Sequence, residues 1–153
     1  MPQTVQEYLA GATQKAAAEL TKAYLHIPEE KRDWSPDEKA RSAQDMFAEC
    51  VLLNSYTADT ITNQAMSGSM ESFKHDLAGV KALAWEEMHA QFEASVAKIT
   101  AAIRGVTEAD LDVVIAMPWG PMTSGQLITY PHWNMTYHEG QTNYLASILG
   151  CLP

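Results

Sequence analysis

The stretch YPHWNMTYHEGQTNYLASILG, residues 130–150, is the most informative in the chain. It reads as the body of a helix running from about 124 to 149. Thr123 or Ser124 can cap its start, and Gly150 can end it. Met135, Leu145 and Leu149 give it apolar positions. Asn134, His138 and Gln141, at steps of four and then three, form a polar row along nearly one face. Pro131 lies inside this span and lacks the N–H that would bond the Leu127 carbonyl, so a bend is expected there.

Upstream, three more segments carry helical periodicity. From about 4 to 25, Val5, Leu9, Ala12, Ala16, Leu20 and Ala23 make one apolar face, and Pro28 follows its end. After the loop HIPEEKRDWSPDEKA, a second helix is expected from about 40 to 63. Its apolar side is Met46, Phe47, Cys50, Val51, Leu53, Ala58 and Ile61. The stretch AMSGSM breaks it. A third helix is expected to run unbroken from about 70 to 103, striped by Phe73, Leu77, Val80, Ala84, Met88, Phe92, Val96, Ile99 and Ile103, with Gly105 as its stop. The segment TEADLDVVIAMPWGPMT then reads as an irregular connection with room for a short extended hairpin. Four amphipathic helices bury their stripes best against one another, so the expected fold is an all-α four-helix bundle, one domain over 1–153, with a longer irregular connection before the last helix.

Composition excludes several classes of partner. Ten basic residues stand against 19 acidic ones, a net charge of −9. No Lys/Arg cluster offers the basic face that phosphate contacts require, so no nucleic acid and no anionic membrane surface is expected as a partner. No apolar run approaches the roughly 20 residues of a membrane span. The N-terminal sequence lacks the basic and apolar regions of a signal peptide, so a cytoplasmic location is expected. Cys50 and Cys151, without CxxC spacing, do not make a disulfide scaffold.

Candidate chemistry centres on two helices. Asn134 and His138, four apart, are placed as one helix presents two ligands to a single metal. The plain alternative is a structural histidine that is buried and hydrogen-bonded. Glu49 shares a face with Met46, Leu53 and Tyr56. A carboxylate beside an apolar stripe is solvated, paired or metal-bound, because burying it bare is too costly. His132 is a reserve ligand, about 120° around the helix from His138. His26 sits at a helix end, and His75 and His89 stand beside acidic residues as surface or boundary groups. Cys50 reads as a small buried hydrophobe. Trp119 with Pro118 suits either a pocket mouth or an aromatic plug over a bundle end.

The ending HEGQTNYLASILG resembles the closing motif of the DinB/YfiT superfamily, commonly His-Arg-Gly-Gln followed by an apolar run and Gly. The loop DWSPDEKARSAQDMFAEC is similar to that family's as well: an aromatic residue and proline before a helix with Ser near its start. The resemblance implies a four-helix bundle, often a homodimer. Many members hold a divalent metal with three histidines, one from the middle of the second helix and two from the fourth at i and i+4. Carried across, those ligands fall on Glu49, Asn134 and His138, so one histidine of the three is kept. Asn is a weak neutral ligand for zinc or nickel. The implied cofactor is one divalent ion (Ni, Zn or Mn), weakly held or absent. The implied function is a metal-dependent thiol S-transferase, isomerase or hydrolase acting on a small-molecule substrate. The alternative is a non-catalytic small-molecule-binding bundle with a degenerate metal site. A DNA-damage-response role, which the family name suggests, is opposed by the net charge as far as direct DNA contact goes.

Overall fold

The computed structural model describes residues 3–153. Helix α1 spans Val5–His26, and the Thr4 side chain caps it by accepting the Glu7 N–H at 3.2 Å. Its apolar face is buried at Leu9, Ala16, Leu20 and Ala23; Val5, expected on that face, is half exposed. The connection to the next helix includes a 3₁₀ turn at Glu29–Lys31, and Arg32 lies over the Tyr24 ring at 4.8 Å. Helix α2, Ala43–Asn63, starts three residues later than expected because Ser42 is its cap, accepting the Asp45 N–H at 3.1 Å. Gln64 in the left-handed region ends it.

The third helix is not continuous. It divides into α3, Met70–Lys81, and α4, Trp85–Gly105. An unbroken 34-residue helix would run about 50 Å, well past the roughly 32 Å of α2. The break lets the two parts do different work. Phe73 of α3 meets Tyr56 of α2 edge-on at 5.4 Å. Met88, Phe92, Ile99 and Ile103 of α4 enter the core.

The last helix is also divided, into α5, Ser124–Leu127, and α6, Tyr130–Ile148. Pro131 therefore does not bend a helix interior. It stands in the first turn of α6, where a missing N–H costs no hydrogen bond. A capping box holds α5: Thr123 and Gln126 exchange hydrogen bonds at 3.1 and 2.8 Å. The expected hairpin is present as two short antiparallel strands, β1 (Val114–Ile115) and β2 (Met122–Thr123), with Val114 opposite Thr123.

Helices α1, α2, α4 and α6 form the bundle: α1 and α2 each pack against both α4 and α6, while α3 lies along α2. The core falls into two clusters. One gathers Leu20, Tyr24, Phe47, Met88, Phe92 and Met135, with Phe47 4.7 Å from Tyr24 and 4.5 Å from Phe92. The other gathers Leu9, Ile61, Ile99, Ile103, Ile115 and Leu127. On α1, α2 and α4, the buried polar residues Thr13, Asn54 and Ser95 separate the members of one cluster from those of the other. Asn54 donates to Ser95 Oγ at 3.4 Å. Among the described residues, no helix is long and apolar enough to cross a membrane.

Candidate functional site

Where α2 faces α6, the chain places a carboxylate, an imidazole and a guanidinium in one network. Glu49 stands one turn past Met46 on α2, with its side chain 20% exposed. His138, on α6, is 5% exposed, and its Nε2 lies 3.0 Å from Glu49 Oε1. Its Nδ1 lies 2.7 Å from Gln141 Oε1, one turn further along α6. Gln141, placed in the same polar row by its spacing, thus orients the ring.

The second oxygen of Glu49 is taken by a residue that sequence reasoning missed. Arg41 precedes the Ser42 cap, and its side chain runs back along the first turns of α2. It donates through Nη2 to the Asp45 carbonyl at 3.1 Å and through Nη1 to Glu49 Oε2 at 2.5 Å. Burial alone would raise the Glu49 carboxyl. The His138 hydrogen bond and the Arg41 charge outweigh burial and hold it below the usual carboxylate range.

Asn134 is buried one turn before His138, but it does not join this network. Its Nδ2 lies 3.4 Å from Cys50 Sγ. Burial pushes the Cys50 thiol far up, so it is an inert core group rather than a nucleophile. Of the three sequence candidates, the structure brings Glu49 and His138 together and turns Asn134 toward Cys50.

As placed, these side chains do not fit a divalent ion. Glu49 is ionised and can only accept, so His138 Nε2 carries a hydrogen and offers no lone pair. The other Glu49 oxygen already neutralises a guanidinium. Among the described residues, no three His, Cys, Asp or Glu side chains gather as a metal group. The remaining histidines lie elsewhere. His132 lines a surface groove with Tyr8, Lys15 and Glu139, His75 is exposed, and His89 stacks on Trp85 at 4.8 Å.

Glu49 also forms part of the wall of a cavity of about 200 Å³. Leu53, Tyr56, Thr57 and Thr60 of α2 continue that wall. The segment joining α2 to α3 contributes Met66, Ser67 and Ser69, and α3 itself Met70 and Phe73. Met117, Trp119 and Met122 come from the hairpin connection, and Leu127 and Tyr130 from the start of the last helical region. Glu49 is the only charged residue among them. Tyr56 is fixed by donating to Asp76 Oδ2 at 2.7 Å. Gly68, at φ +67, brings the α2–α3 turn against its ring; a Cβ there would lie 2.6 Å from Tyr56 Cε1. Of the pocket's walls, the sequence singled out Glu49 as a candidate ligand and Trp119 as suited to a pocket mouth. The methionines carried no signal apart from their place in irregular segments.

The sequence matches no family model and no curated protein. Solved structures match its fold. YfiT from Bacillus subtilis, described as a probable metal-dependent hydrolase with an unusual four-helix bundle topology, superposes with a TM-score of 0.81 at 12% identity, over 98% of this chain and 90% of that one. The chain has the DinB/YfiT fold. A mycothiol-dependent maleylpyruvate isomerase shares it with a TM-score of 0.71 at 12% identity, over 90% of this chain and 60% of that one. So does the colibactin self-resistance protein ClbS, solved in complex with dsDNA, with a TM-score of 0.67 at 14% identity over 93% and 95%. At such identities the likeness is one of fold.

Proposed function

We propose that this protein is a small-molecule-binding bundle of the DinB/YfiT type whose polar centre is held by Arg41, Glu49 and His138 in place of a metal ion. The observation that carries the reading is the Arg41 guanidinium on Glu49 Oε2. A fixed organic cation stands where a divalent ion would need the carboxylate. The neighbouring cavity then receives the ligand. His138 has both ring nitrogens engaged and is nearly fully buried, so it has no free nitrogen with which to take a proton from a substrate. Glu49, held ionised, is a weak base. Both features favour binding over acid–base catalysis. The protein works in the cytoplasm as a homodimer, the commonest closed oligomer, and a light-scattering mass tests that state.

The competing reading is a metal-dependent transferase, isomerase or hydrolase. The description of YfiT as a probable metal-dependent hydrolase favours it. Glu49, Asn134 and His138 would then supply the ligands after Arg41 swings out and the His138 Nε2 hydrogen leaves. Titration of the purified protein with nickel, zinc and manganese, followed by metal analysis, separates the two. We expect no uptake at one ion per chain. Stoichiometric uptake that disappears in His138→Ala would establish the metal centre instead.

A further inference from the structure

The cavity beside Glu49 has an unusual lining for a site with one charge. Among the residues that bound it, Glu49 is the only ionised group, and none of them carries a positive charge. Around it stand the rings of Phe73, Trp119 and Tyr130 and the thioethers of Met66, Met117 and Met122. A ligand that enters must place an apolar body among these groups. An anionic ligand would bring a charge that no cation of the lining receives. It would also meet the repulsion of a chain at −9.

A cation meets the opposite conditions. An ionised carboxylate has about four acceptor positions on its two oxygens. His138 takes one on Oε1, and Arg41, which stands outside the lining and offsets the charge, takes one on Oε2, so acceptor positions remain on a carboxylate that bounds the cavity. Aromatic faces attract an ammonium group, most strongly where it is desolvated. The Tyr130 hydroxyl adds a polar atom near the carboxylate. It stays protonated, because burial and the Glu49 charge both raise it. Size limits the body. A cavity of about 150 Å³ holds benzene, so about 200 Å³ takes one aromatic ring or a short branched chain with a small arm.

From this lining we infer that the cavity binds a small apolar amine, its ammonium against the Glu49 carboxylate and its hydrocarbon body among Phe73, Trp119, Tyr130 and the methionines. This rests on the small-molecule-binding reading and narrows it to one ligand class. The donor to Glu49 is charged, so the hydrogen bond is charge-assisted at both ends and stronger than one from a neutral isostere. Trp119 is more than half exposed and sits on the hairpin connection, where it can close over the ligand without disturbing the bundle.

Three probes of matched shape test the inference by calorimetry on the full chain: 2-phenylethylammonium, 2-phenylethanol and 3-phenylpropionate. We expect the amine to bind about tenfold or more tighter than the alcohol, and the carboxylate not at all. Glu49→Gln should bring amine and alcohol to equal affinity, whereas Trp119→Ala should weaken both alike. Should Glu49→Gln fail to fold, Glu49→Asp, which keeps the charge, must retain the amine preference, and the wild-type ratio alone decides the ligand class. Alcohol binding as tight as amine, or carboxylate binding tightest, overturns the amine assignment while leaving a binding pocket in place. No binding by any of the three overturns the amine assignment, and an equally silent panel of larger neutral aromatics overturns the pocket reading with it.

Discussion

His138 Nε2 and Glu49 Oε1 lie 3.0 Å apart although 89 residues separate them in the chain. That contact ties α2 to α6 through two side chains that are both mostly buried. Replacing His138 by Ala removes the ring, frees Gln141 and leaves Glu49 with Arg41 alone. We expect a loss of about 2–3 kcal/mol in chemical denaturation, somewhat below the cost of breaking a fully buried pair. A loss under about 0.5 kcal/mol, the scale of a neutral surface substitution, would mean that the contact has no structural weight.

Stability should fall on acidification, in part through Glu49. Its carboxyl is held below the range of an unfolded chain, about 4.3, so the folded state binds its proton less readily than the unfolded state does. The stabilisation is therefore complete above that range and is lost as pH falls through the lower folded value. Denaturation midpoints measured from pH 6 down to pH 3 should drop more steeply for wild type than for Glu49→Gln. Parallel profiles would show that Glu49 gains nothing from its two partners.

Gly68 should resist substitution. Alanine at φ +67 carries left-handed strain, and its Cβ would meet the Tyr56 ring at 2.6 Å and Ser72 Oγ at 2.9 Å. Tyr56 is held by Asp76, so the ring cannot turn away freely. Gly68→Ala should cost about 2 kcal/mol and weaken binding in the cavity that Tyr56 lines. A variant as stable as wild type would show that the turn adjusts without cost.

Duplex DNA should not bind at physiological salt, although ClbS, which has the same fold, was solved with dsDNA. The charge of −9 and an isoelectric point near 4.9 leave no surplus of cations to release counterions from phosphate. Fluorescence anisotropy with a labelled duplex, run from low to physiological salt, measures this. A salt-sensitive affinity that persists at physiological salt would overturn the charge argument.

The bundle was legible because its information is local. Thr4 and Ser42 cap the helices that the apolar stripes predict, and the first core cluster is drawn largely from those stripes, the second by half. The break at 82–84 was not legible. Val80, Ala84 and Met88 keep helical spacing straight through it, and no proline marks it. At the end of α3 the Lys81 carbonyl accepts from Gln44 Nε2 of α2 at 2.6 Å, a tertiary contact that no local pattern records. Pro131 was visible but misread, because the same residue fits a helix start as well as a kink. At the site, spacing placed His138 and Gln141 on one face and Glu49 beside the apolar stripe of the second helix, and the family resemblance pointed to Glu49 as well. Asn134 went to Cys50 and Arg41 came to Glu49 for reasons of three-dimensional packing. Arg41 lies outside the helix, so its approach depends on how the preceding loop returns to α2.

The cavity has two kinds of wall, and they differ in how freely they can change over generations. Glu49, Leu53 and Thr57 are part of α2, which the bundle core fixes on both neighbouring helices. Met66 and Trp119 sit on the α2–α3 turn and the hairpin connection, outside both core clusters, where substitution disturbs little packing, whereas Gly68, Met117 and Met122 of the same segments are packed. A lineage built on this frame can therefore exchange ligands by rewriting two surface segments while inheriting the charged anchor intact.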